Sequence, residues 1–348
     1  MIYLHGTYAT RRKTNRPKED NTFLEESNLT DEHYEGPVPR RRRRKKLRVG
    51  RLIVTILFLL FLVIGFYSYF QYNLGQSLAS GNDIDPGPFT GDVTDPQNPS
   101  VENYLLLGID DDGSGKSRTD TMMVLSWDKK KGSVRLVSFM RDIYAEIPGY
   151  KNYKLNTAYY LNGVQTTKDT ITGMFGIPIH HYVIVDFDNF ESIINIAFPK
   201  GVEIDVQKEM SEKIGVTLMP GTQRLTGKEL LGYARFRADA EGDFGRVRRQ
   251  QEVIAALKEE GLRPSMIGRI PKLTGALSGF IETDLTSKDE LSKVLTVLMK
   301  GKVDIETMTV PVEGTYEFTS YSHAGSVIEL DIEKNKNALS QFLNSEID

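Results

Sequence analysis

The chain has 348 residues, with 44 lysines and arginines, 47 aspartates and glutamates, five histidines and no cysteine. The absence of cysteine excludes disulfides, thiol nucleophiles and thiolate-ligated zinc, and a hydrophobic fraction of 39% excludes a chain that is disordered throughout. The net charge of −3 hides an asymmetry, because residues 1–51 carry +7 and the remaining residues carry −10. A basic arm therefore precedes an acidic body.

An uncharged segment separates the arm from the body. Residues 52–70 (LIVTILFLLFLVIGFYSYF) contain no charged side chain, and at about 1.5 Å per residue such a helix matches the roughly 30 Å hydrocarbon core of a bilayer. A cleaved signal peptide would need a shorter apolar core close to the N-terminus. We therefore predict a transmembrane signal-anchor helix over residues 52–72.

Charge on the two sides of this helix predicts its orientation. Basic residues crowd the 40–51 stretch, whereas the next basic residue after the helix is Lys116. Since basic flanks stay in the cytoplasm, we expect residues 1–51 to be a disordered cytoplasmic tail in contact with anionic lipid, without a role in binding nucleic acid. The expected localisation is the cell membrane, with a single span and the body outside the cell.

The composition changes again after the helix. Residues 73–100 are rich in glycine and proline and predict an extracellular linker, whereas residues 101–348 alternate between strand and helix patterns. Short apolar runs predict buried strands over residues 104–109, 121–126, 134–139, 182–187, 202–206 and 307–312. Helices are predicted over residues 155–161, 165–175, 189–197, 227–236, 243–260, 285–299 and 333–343. This alternation predicts an α/β fold with helices on both faces of the sheet.

A glycine-rich motif in the body is misleading. Residues 113–117 (GSGKS) end like a phosphate-binding P-loop, but that pattern requires a glycine where Asp110 stands. The stretch also leads into a strand, and not into a helix whose N-terminus would hold phosphate. The sequence therefore does not predict a P-loop.

The aspartates around this motif are more informative. Asp110 follows the end of one predicted strand and Asp120 directly precedes the next, and loops at strand ends line the binding crevice of an α/β sheet. Carboxylates without cysteine or histidine neighbours suit Mg²⁺, which prefers oxygen ligands. The alternative for residues 110–112 is a solvated acidic loop.

Basic and polar side chains recur where predicted elements begin or end: Arg118, Arg141, Lys154, Arg235, Arg237, Arg246, Arg249 and Gln250. The last three share one helix face near an N-terminus that Asp243 is predicted to cap, where anions are favoured. Any one arginine is most simply a surface salt bridge. Several guanidiniums together need an anion of comparable charge, and their planar forks match phosphate oxygens.

Nucleophilic triads are poorly supported. No serine stands in a Gly-x-Ser-x-Gly pattern, and the adjacent His180 and His181 precede a predicted strand. The expected chemistry is therefore the action of a metal ion and arginines on a phosphoryl group, where positioning and charge neutralisation dominate.

Five motifs follow one another along the body: LLLGIDDD, SRTDTMMV, SFMRDIYAEIPGYKNYKLNTAY, LMPGTQRLTGKELLGYARFR and GDFGRVRRQQEVI. In this order they resemble the LytR–CpsA–Psr family of cell-envelope proteins, from about Asn103 to Leu262. The tail to Asp348 is similar to the closing strand and helix of that family. The resemblance implies a three-layer α-β-α fold with a central mixed sheet, over residues 101–348.

The resemblance also implies an activity in a Gram-positive-type envelope. Members are thought to be phosphotransferases that take an anionic glycopolymer, wall teichoic acid or capsular polysaccharide, from an undecaprenyl-pyrophosphate carrier. They join it to the 6-hydroxyl of N-acetylmuramic acid in peptidoglycan. The implied partners are a polyprenyl-pyrophosphate-linked polysaccharide, peptidoglycan and the membrane.

Individual residues match the family by position. Asp110 and Asp120 match the acidic pair that holds Mg²⁺. The pyrophosphate-binding positions are matched by Arg141, Arg235, Arg237, Arg246 and Arg249, with Lys154 and Gln250 in support, and we expect Arg118 to join them. We expect the catalytic residues to be Asp110, Asp120, Arg141 and Arg237, and either Asp120 or Asp142 to deprotonate the sugar hydroxyl. The lipid tail is expected in an apolar tunnel between the sheet and the helices.

The sequence departs from the family pattern next to some charged positions, at Asp111, Thr119, Met140 and Lys200. These departures bear on polymer preference and leave the matched charged positions intact. Three alternatives stay open: a polyprenyl-pyrophosphate hydrolase that uses water at the same site, a membrane-bound envelope regulator or transcriptional attenuator, and a module that only binds the carrier. Metal-dependent turnover distinguishes the transferase from the binding module.

Overall fold

In the computed structural model, the described residues are 49–79, 84–96, 98–110, 117–285 and 305–345. The tail predicted over residues 1–51 lies outside them up to residue 48, as do residues 113–116 of the glycine-rich motif. The helix predicted over residues 285–299 also lies outside them, apart from its first residue. The chain divides into two compact units, Met1–Val54 and Thr55–Asp348, and the elements that form the site belong to the second.

The apolar segment forms helix α1 (Val49–Leu78). Its portion Ile53–Leu78 is long and apolar enough to cross a membrane, and its large apolar side chains are exposed. The helix continues six residues past the predicted end of the span at residue 72, because residues 73–78 contain no proline. Part of the segment predicted as a linker is therefore helical.

A mixed sheet of six strands forms the centre of the body: β1 (Val101–Asp110), β2 (Arg118–Asp128), β3 (Ser133–Phe139), β6 (His181–Asp186), β9 (Ile281–Thr283) and β10 (Ile305–Val310). The strand order is β10-β3-β2-β1-β6-β9. Strand β1 is parallel to β6 and β10 is parallel to β3, whereas the other neighbouring pairs are antiparallel. As a result β1, β3 and β6 end, and β2 begins, at one edge of the sheet, which we call the site edge.

Helices cover both faces of the sheet. Leu105, Leu107 and Ile109 of β1 pack with residues of α2 (Thr157–Phe175) and α7 (Ile332–Asn344) on one face. The other face, which includes Tyr104, packs with residues of α5 (Gly242–Gly261). Helices α3 (Phe187–Ala197) and α6 (Ile270–Phe280) cover the β6 side of that second face. The predicted three-layer α-β-α architecture is confirmed.

Smaller elements complete the body. Three short antiparallel pairs lie outside the main sheet: β4 (Tyr144–Ala145) with β5 (Tyr153–Lys154), β7 (Val202–Val206) with β8 (Gly221–Leu225), and β11 (Tyr316–Tyr321) with β12 (Gly325–Leu330). Helix α4 (Gly227–Arg235) begins with the predicted capping box, in which the Glu229 carboxylate accepts from the Thr226 amide. Helix α6 and the 3-10 helix Pro264–Arg269 before it are not predicted from the sequence, because prolines and glycines interrupt their apolar pattern.

The two helices predicted over residues 155–161 and 165–175 are one helix with a break. Asn162 and Gly163 of α2 have non-helical backbone angles. Gly163 has φ +70°, and a Cβ at this position would lie 2.5 Å from the carbonyl oxygen of Pro86. That close approach lets Pro86 accept a 3.2 Å hydrogen bond from the Val164 amide, so the chain before the sheet is held against the break.

An ion pair fixes the same segment further along. Lys168 of α2 is almost fully buried, and its Nζ lies 2.5 Å from Oδ1 of Asp92. The other Asp92 oxygen accepts a 2.8 Å hydrogen bond from the Ile179 amide. Burial raises the pKa of Asp92, but Lys168 and the Ile179 amide together lower it by more than burial raises it. The pKa of Asp92 therefore lies below its ordinary value of 3.8. Residues 84–92, predicted as part of a free linker, are thus attached to the body.

We expect Asp92→Asn to lower the free energy of unfolding at pH 7 by about 1.5–3 kcal/mol, the contribution of a hydrogen bond to a charged group. Because the folded-state pKa of Asp92 is depressed, this contribution is present above pH ~4 and is lost as the pH falls through the folded-state pKa. Denaturant unfolding at pH 7 and near pH 3 should therefore show the two proteins converging in acid. Exposed Glu313→Gln is the matched control, and an equal deficit of Asp92→Asn at both pH values would contradict this account.

Candidate active site

The site edge of the sheet opens into a polar cavity of about 830 Å³. Seven charged side chains line it: Asp110, Arg118, Asp120, Arg141, Asp142, Lys154 and Arg237. The structure thus brings together predicted site residues from strand ends and loops that are far apart in the sequence. Four cations face three carboxylates, so the cavity suits a ligand that carries negative charge.

A β-bulge places Asp120 in this cavity. Along the β1–β2 pair, Gly108 lies opposite Thr121 and Ile109 lies opposite Thr119, which leaves Asp120 as the extra residue on β2. A bulge of this kind changes the direction of a side chain at the end of a strand. Thr119 is fully buried, whereas Asp120 lines the cavity. The shift in pairing register therefore lets β2 remain a paired strand while Asp120, a predicted site residue, lines the cavity.

Arg141 lies at the centre of an ion-pair network. Its Nη1 lies 2.5 Å from Oδ1 of Asp120, its Nε 3.7 Å from Oδ2 of Asp142 and its Nη2 3.6 Å from Oδ1 of Asp243. Burial lowers the pKa of Arg141, but the attraction of Asp243 and Asp120 outweighs burial and raises it overall. Lys154 continues the network, with its Nζ 2.8 Å from Asp142.

The prediction that Asp243 caps a helix is wrong. Helix α5 begins at Gly242, and its N-cap residue is Glu241. The Asp243 carboxylate instead lies 2.9 Å from Arg246 one turn later and also faces Arg141. Burial raises the pKa of Asp243 although both arginines oppose this. The i, i+3 spacing of Asp243 and Arg246 was the sequence signal for this pair.

Two arginines that line the cavity, Arg118 and Arg237, have no carboxylate partner among the described residues. The guanidinium of Arg118 lies 5.7 Å from the centre of the Tyr160 ring. Arg235 is partly engaged, since its guanidinium lies 3.4 Å from Asp110 and stacks 4.6 Å from the centre of the Phe187 ring. Tyr160 lines the polar cavity from helix α2, and no sequence pattern marks it as a site residue.

An apolar cavity of about 610 Å³ adjoins the polar one. Most of its apolar lining comes from β1, β2, β6, α3, α4 and α5, and includes Leu106, Met123, Val183, Val185, Phe187, Phe190, Leu231, Ala234, Val253, Ile254 and Leu257. Asp120 and Arg237 line both cavities, and Arg235, Arg246 and Gln250 are among the other polar residues that line the apolar one. The family resemblance implies an apolar tunnel between the sheet and the helices, whose walls the periodicity of the sequence does not locate.

The structure does not bring Arg249 to either cavity. Its side chain is fully buried, donates a 3.0 Å hydrogen bond to the Phe236 carbonyl and pairs with Asp239. These partners hold the end of α4 against α5, which is a structural role. Gln250 on the same helix does line the apolar cavity, and it donates a 2.9 Å hydrogen bond to the Thr121 hydroxyl.

The carboxylates of the polar cavity fit a hard cation only together with oxygen atoms from a bound ligand. Asp110 and Asp120 supply carboxylate oxygens, and no histidine lines the polar cavity in the described part of the chain. Among the same residues, no group of three or more acidic or histidine side chains lies close enough to hold a metal ion alone. Mg²⁺ is commonly held by one or two carboxylates together with phosphate oxygens, so these two aspartates fit Mg²⁺ when a phosphorylated ligand is present.

We expect Arg237→Gln to weaken the binding of inorganic pyrophosphate about tenfold or more, because a charge-assisted hydrogen bond contributes roughly 1.5–3 kcal/mol. Arg248→Gln is the matched control, since the carboxylates that pair with Arg248 in the described part of the chain are Glu241 and Glu252, and Arg248 lines neither cavity. Isothermal titration of the full chain in detergent measures both affinities. Equal affinities in the two variants would show that the polar cavity is not the anion site.

Comparisons with known proteins identify relatives of this arrangement. Residues 69–341 match the model of the LytR_cpsA_psr family. The regulatory protein MsrR of Staphylococcus aureus (strain COL) is 40% identical over 282 residues, which cover 80% of this chain and 85% of that protein. The polyisoprenyl-teichoic acid–peptidoglycan teichoic acid transferase TagU of Bacillus anthracis (strain CDC 684 / NRRL 3495) is 31% identical over 216 residues, which cover 61% and 69%.

Solved structures share the fold. The crystal structure of B. subtilis TagV matches with a TM-score of 0.60 and 28% identity, over 71% of this chain and 99% of that one. The structure of TagT bound to LIIa-WTA matches with a TM-score of 0.58 and 24% identity, over 73% and 95%. Because the family match runs from the end of α1 through the whole sheet and into the last helix, this chain belongs to the LytR–CpsA–Psr family.

Proposed function

We propose that this protein is a membrane-anchored extracellular phosphotransferase that attaches an anionic glycopolymer, carried on a polyprenyl pyrophosphate, to N-acetylmuramic acid of peptidoglycan. The observation that carries the proposal is the junction of the two cavities at Asp120 and Arg237. A lipid pyrophosphate has the same division, with an apolar chain joined to a charged head. The names of TagU and TagT, which refer to teichoic acid transfer and to bound wall teichoic acid, support the same substrate class.

The chemistry follows from how this charge is arranged. The oxygen of the acceptor hydroxyl attacks the phosphorus that carries the sugar and forms a phosphodiester. The bond from that phosphorus to the bridging oxygen breaks, and polyprenyl phosphate leaves with the electron pair. Arg118 and Arg237 bind the pyrophosphate oxygens, and Arg141 stabilises the charge that develops on the leaving phosphate. Asp142 takes the hydroxyl proton, because it lines only the polar side, where the acceptor enters.

A divalent cation completes this proposal. Asp110 and Asp120 would hold Mg²⁺ together with pyrophosphate oxygens, and the ion would neutralise part of the phosphate charge. The pairing of Asp120 with Arg141 then orients that carboxylate before the substrate arrives. The membrane part of the proposal rests on α1, whose apolar length suits a single span with the basic tail in the cytoplasm.

We expect Asp120→Asn to lose most transferase turnover, because the substitution removes a negative charge from the junction while keeping the size of the side chain. The measurement follows formation of a phosphodiester-linked product from the full chain, Mg²⁺, a polyprenyl-pyrophosphate-linked saccharide and a peptidoglycan oligomer. Asp205→Asn, on the exposed face of β7, is the matched control and should keep full turnover. Chelation of the divalent ion should abolish the product, and unaltered turnover in Asp120→Asn would refute the assigned site.

The same assay separates the alternatives. Release of free sugar phosphate without a linked product would favour a pyrophosphate hydrolase, in which water replaces the sugar hydroxyl. Binding of the carrier without turnover would favour a module that only holds it. The name of MsrR refers to regulation, but the described residues form a charged cavity joined to an apolar one, which a regulatory role does not require.

We expect Leu231→Trp to weaken the binding of the lipid carrier, because the larger ring fills part of the apolar cavity that Leu231 lines. Affinity for inorganic pyrophosphate should stay unchanged, since that ion has no lipid chain. Titrations with a polyprenyl phosphate and with pyrophosphate give the two values, and exposed Met219→Trp, outside both cavities, is the control. A parallel loss of both affinities would instead indicate a disturbed fold.

A further inference from the structure

The end of helix α1 packs directly on helix α6. A Cβ on Gly75 would lie 2.0 Å from the carbonyl oxygen of Lys272, and a Cβ on Gly275 would lie 2.0 Å from the carbonyl oxygen of Tyr72. Each glycine therefore lies against the backbone of the other helix, as in close helix contacts built on small residues. The Tyr72 hydroxyl also lies 3.5 Å from the Ser278 hydroxyl. The helix predicted to span the membrane is thus attached to the body.

The contact also shows how α6 is directed. The helices cross near residues 74 and 274, and Ala79 lies beside Gly279, five residues further along both. The two helices therefore run in the same direction. From the crossing towards the N-terminus of each helix, the apolar stretch of α1 begins at Phe70. The first residue of α6, Ile270, lies about 6 Å from the crossing in the same direction, at 1.5 Å per residue. The 3-10 helix Pro264–Arg269 directly precedes Ile270, so it joins α6 at the end that lies beside the apolar stretch of α1.

The chemistry of this region suits a lipid surface. Residues 263–272 (RPSMIGRIPK) contain three basic residues and no acidic one. Ile267 is 71% exposed although it is large and apolar. Arg263 is oriented by Glu260 at 3.1 Å, Arg269 donates a 3.1 Å hydrogen bond to the Ala197 carbonyl, and no ion-pair partner of Lys272 lies among the described residues. Basic residues beside an exposed apolar side chain are the combination with which interfacial segments contact anionic lipid.

We propose that residues 263–272 form a second membrane contact, in which Ile267 enters the interfacial region and Arg263, Arg269 and Lys272 face anionic lipid headgroups. The proposal rests on the span assigned under the proposed function. The position of the segment supports the proposal, because it leads into α6, which packs beside the end of the apolar helix α1. Each basic residue near an anionic leaflet contributes attraction that decays within a Debye length.

This contact would orient the site. Leu273 and Leu277 of α6 pack in one cluster with Val183 and Val185 of β6, and these two valines line the apolar cavity. Strand β9 follows α6 directly, and its first residue pairs with Val185 near the site edge, so α6 runs from the membrane contact towards the site edge. The polar cavity is then held away from the bilayer. The wall of the apolar cavity formed by Val183 and Val185 packs on α6, whose first turn lies at the membrane contact.

Single cysteines test the proposal without background, because the chain has no cysteine of its own. A fluorophore on Ile267→Cys of the full chain is compared with the same label on Phe61→Cys, within the span, and on Phe318→Cys. Phe318 is the matched control, since it is 68% exposed and lies in the β11–β12 pair, which contacts Ile143 at the site edge. The vesicles contain phosphatidylcholine and phosphatidylglycerol, with a quencher attached to the acyl chains.

We expect the label at position 267 to lose most of its fluorescence, as at position 61, while the label at position 318 keeps it. Omitting phosphatidylglycerol should reduce the loss at position 267 and leave position 61 unchanged. Quenching at 61 without quenching at 267 would overturn the second contact and leave the span intact. Absence of quenching at 61 would overturn the span itself, and the second contact with it.

A substitution in the helix crossing gives an independent reading. Gly275→Leu places a side chain against the Tyr72 carbonyl and should separate α6 from α1. In that background, the label at position 267 should recover fluorescence while the label at 61 stays quenched, and pyrophosphate titration reports whether the body is still folded. Full quenching at 267 in a folded Gly275→Leu protein would show that the crossing does not position the segment.

Discussion

Arg141 is a largely buried cation surrounded by carboxylates from different parts of the chain. Removing a guanidinium from water costs several kcal/mol unless ionised partners compensate, and Asp120 of β2, Asp142 next to it and Asp243 of α5 supply that compensation. The three carboxylates cannot satisfy Arg141 unless the bulge in β2, the loop after β3 and the first turn of α5 meet at one point. The shape of the polar cavity therefore depends on this one buried charge.

The same network leaves two kinds of arginine at the site. Arg141 and Arg246 are neutralised by protein carboxylates and keep the cavity in its shape before any ligand binds. Arg118 and Arg237 have no carboxylate partner among the described residues and line the polar cavity. Within the described part of the chain, an anion that enters thus meets Arg118 and Arg237 next to an Arg141 that carboxylates already hold in place. Charges held in place in this way are the condition under which electrostatic stabilisation is effective.

Much of this arrangement could be predicted from the sequence. The strands at 104–109, 121–126 and 134–139 follow from their β-branched and apolar composition, and the capping box at Thr226 from its spacing. The match of Asp110, Asp120, Arg141 and Arg237 to family positions named residues that the structure brings to one cavity. Three-dimensional pairing explains the failures. Aspartate is a residue type that often caps helices, but the carboxylate of Asp243 is attracted by Arg141 from another part of the chain. Arg249 has the helical spacing of the other predicted ligand-binding residues, but it pairs with Asp239 inside the body.

Glycine and proline explain why the anchor's attachment was not predicted. Read as composition, Gly75, Gly163, Pro86 and Pro271 indicate a flexible linker and an interrupted helix. In the structure, two of these glycines allow backbones to approach more closely than any other residue would permit: Gly163 admits the Pro86 carbonyl and Gly75 admits α6. Glycine lowers the stability of an isolated helix, yet it is required where two helices cross at their backbones. Local sequence patterns report only the loss of helix stability. The close approach of two backbones depends on which helix lies opposite the glycine, and this close approach attaches the apolar helix α1 to α6, in the layer that forms the wall of the apolar cavity.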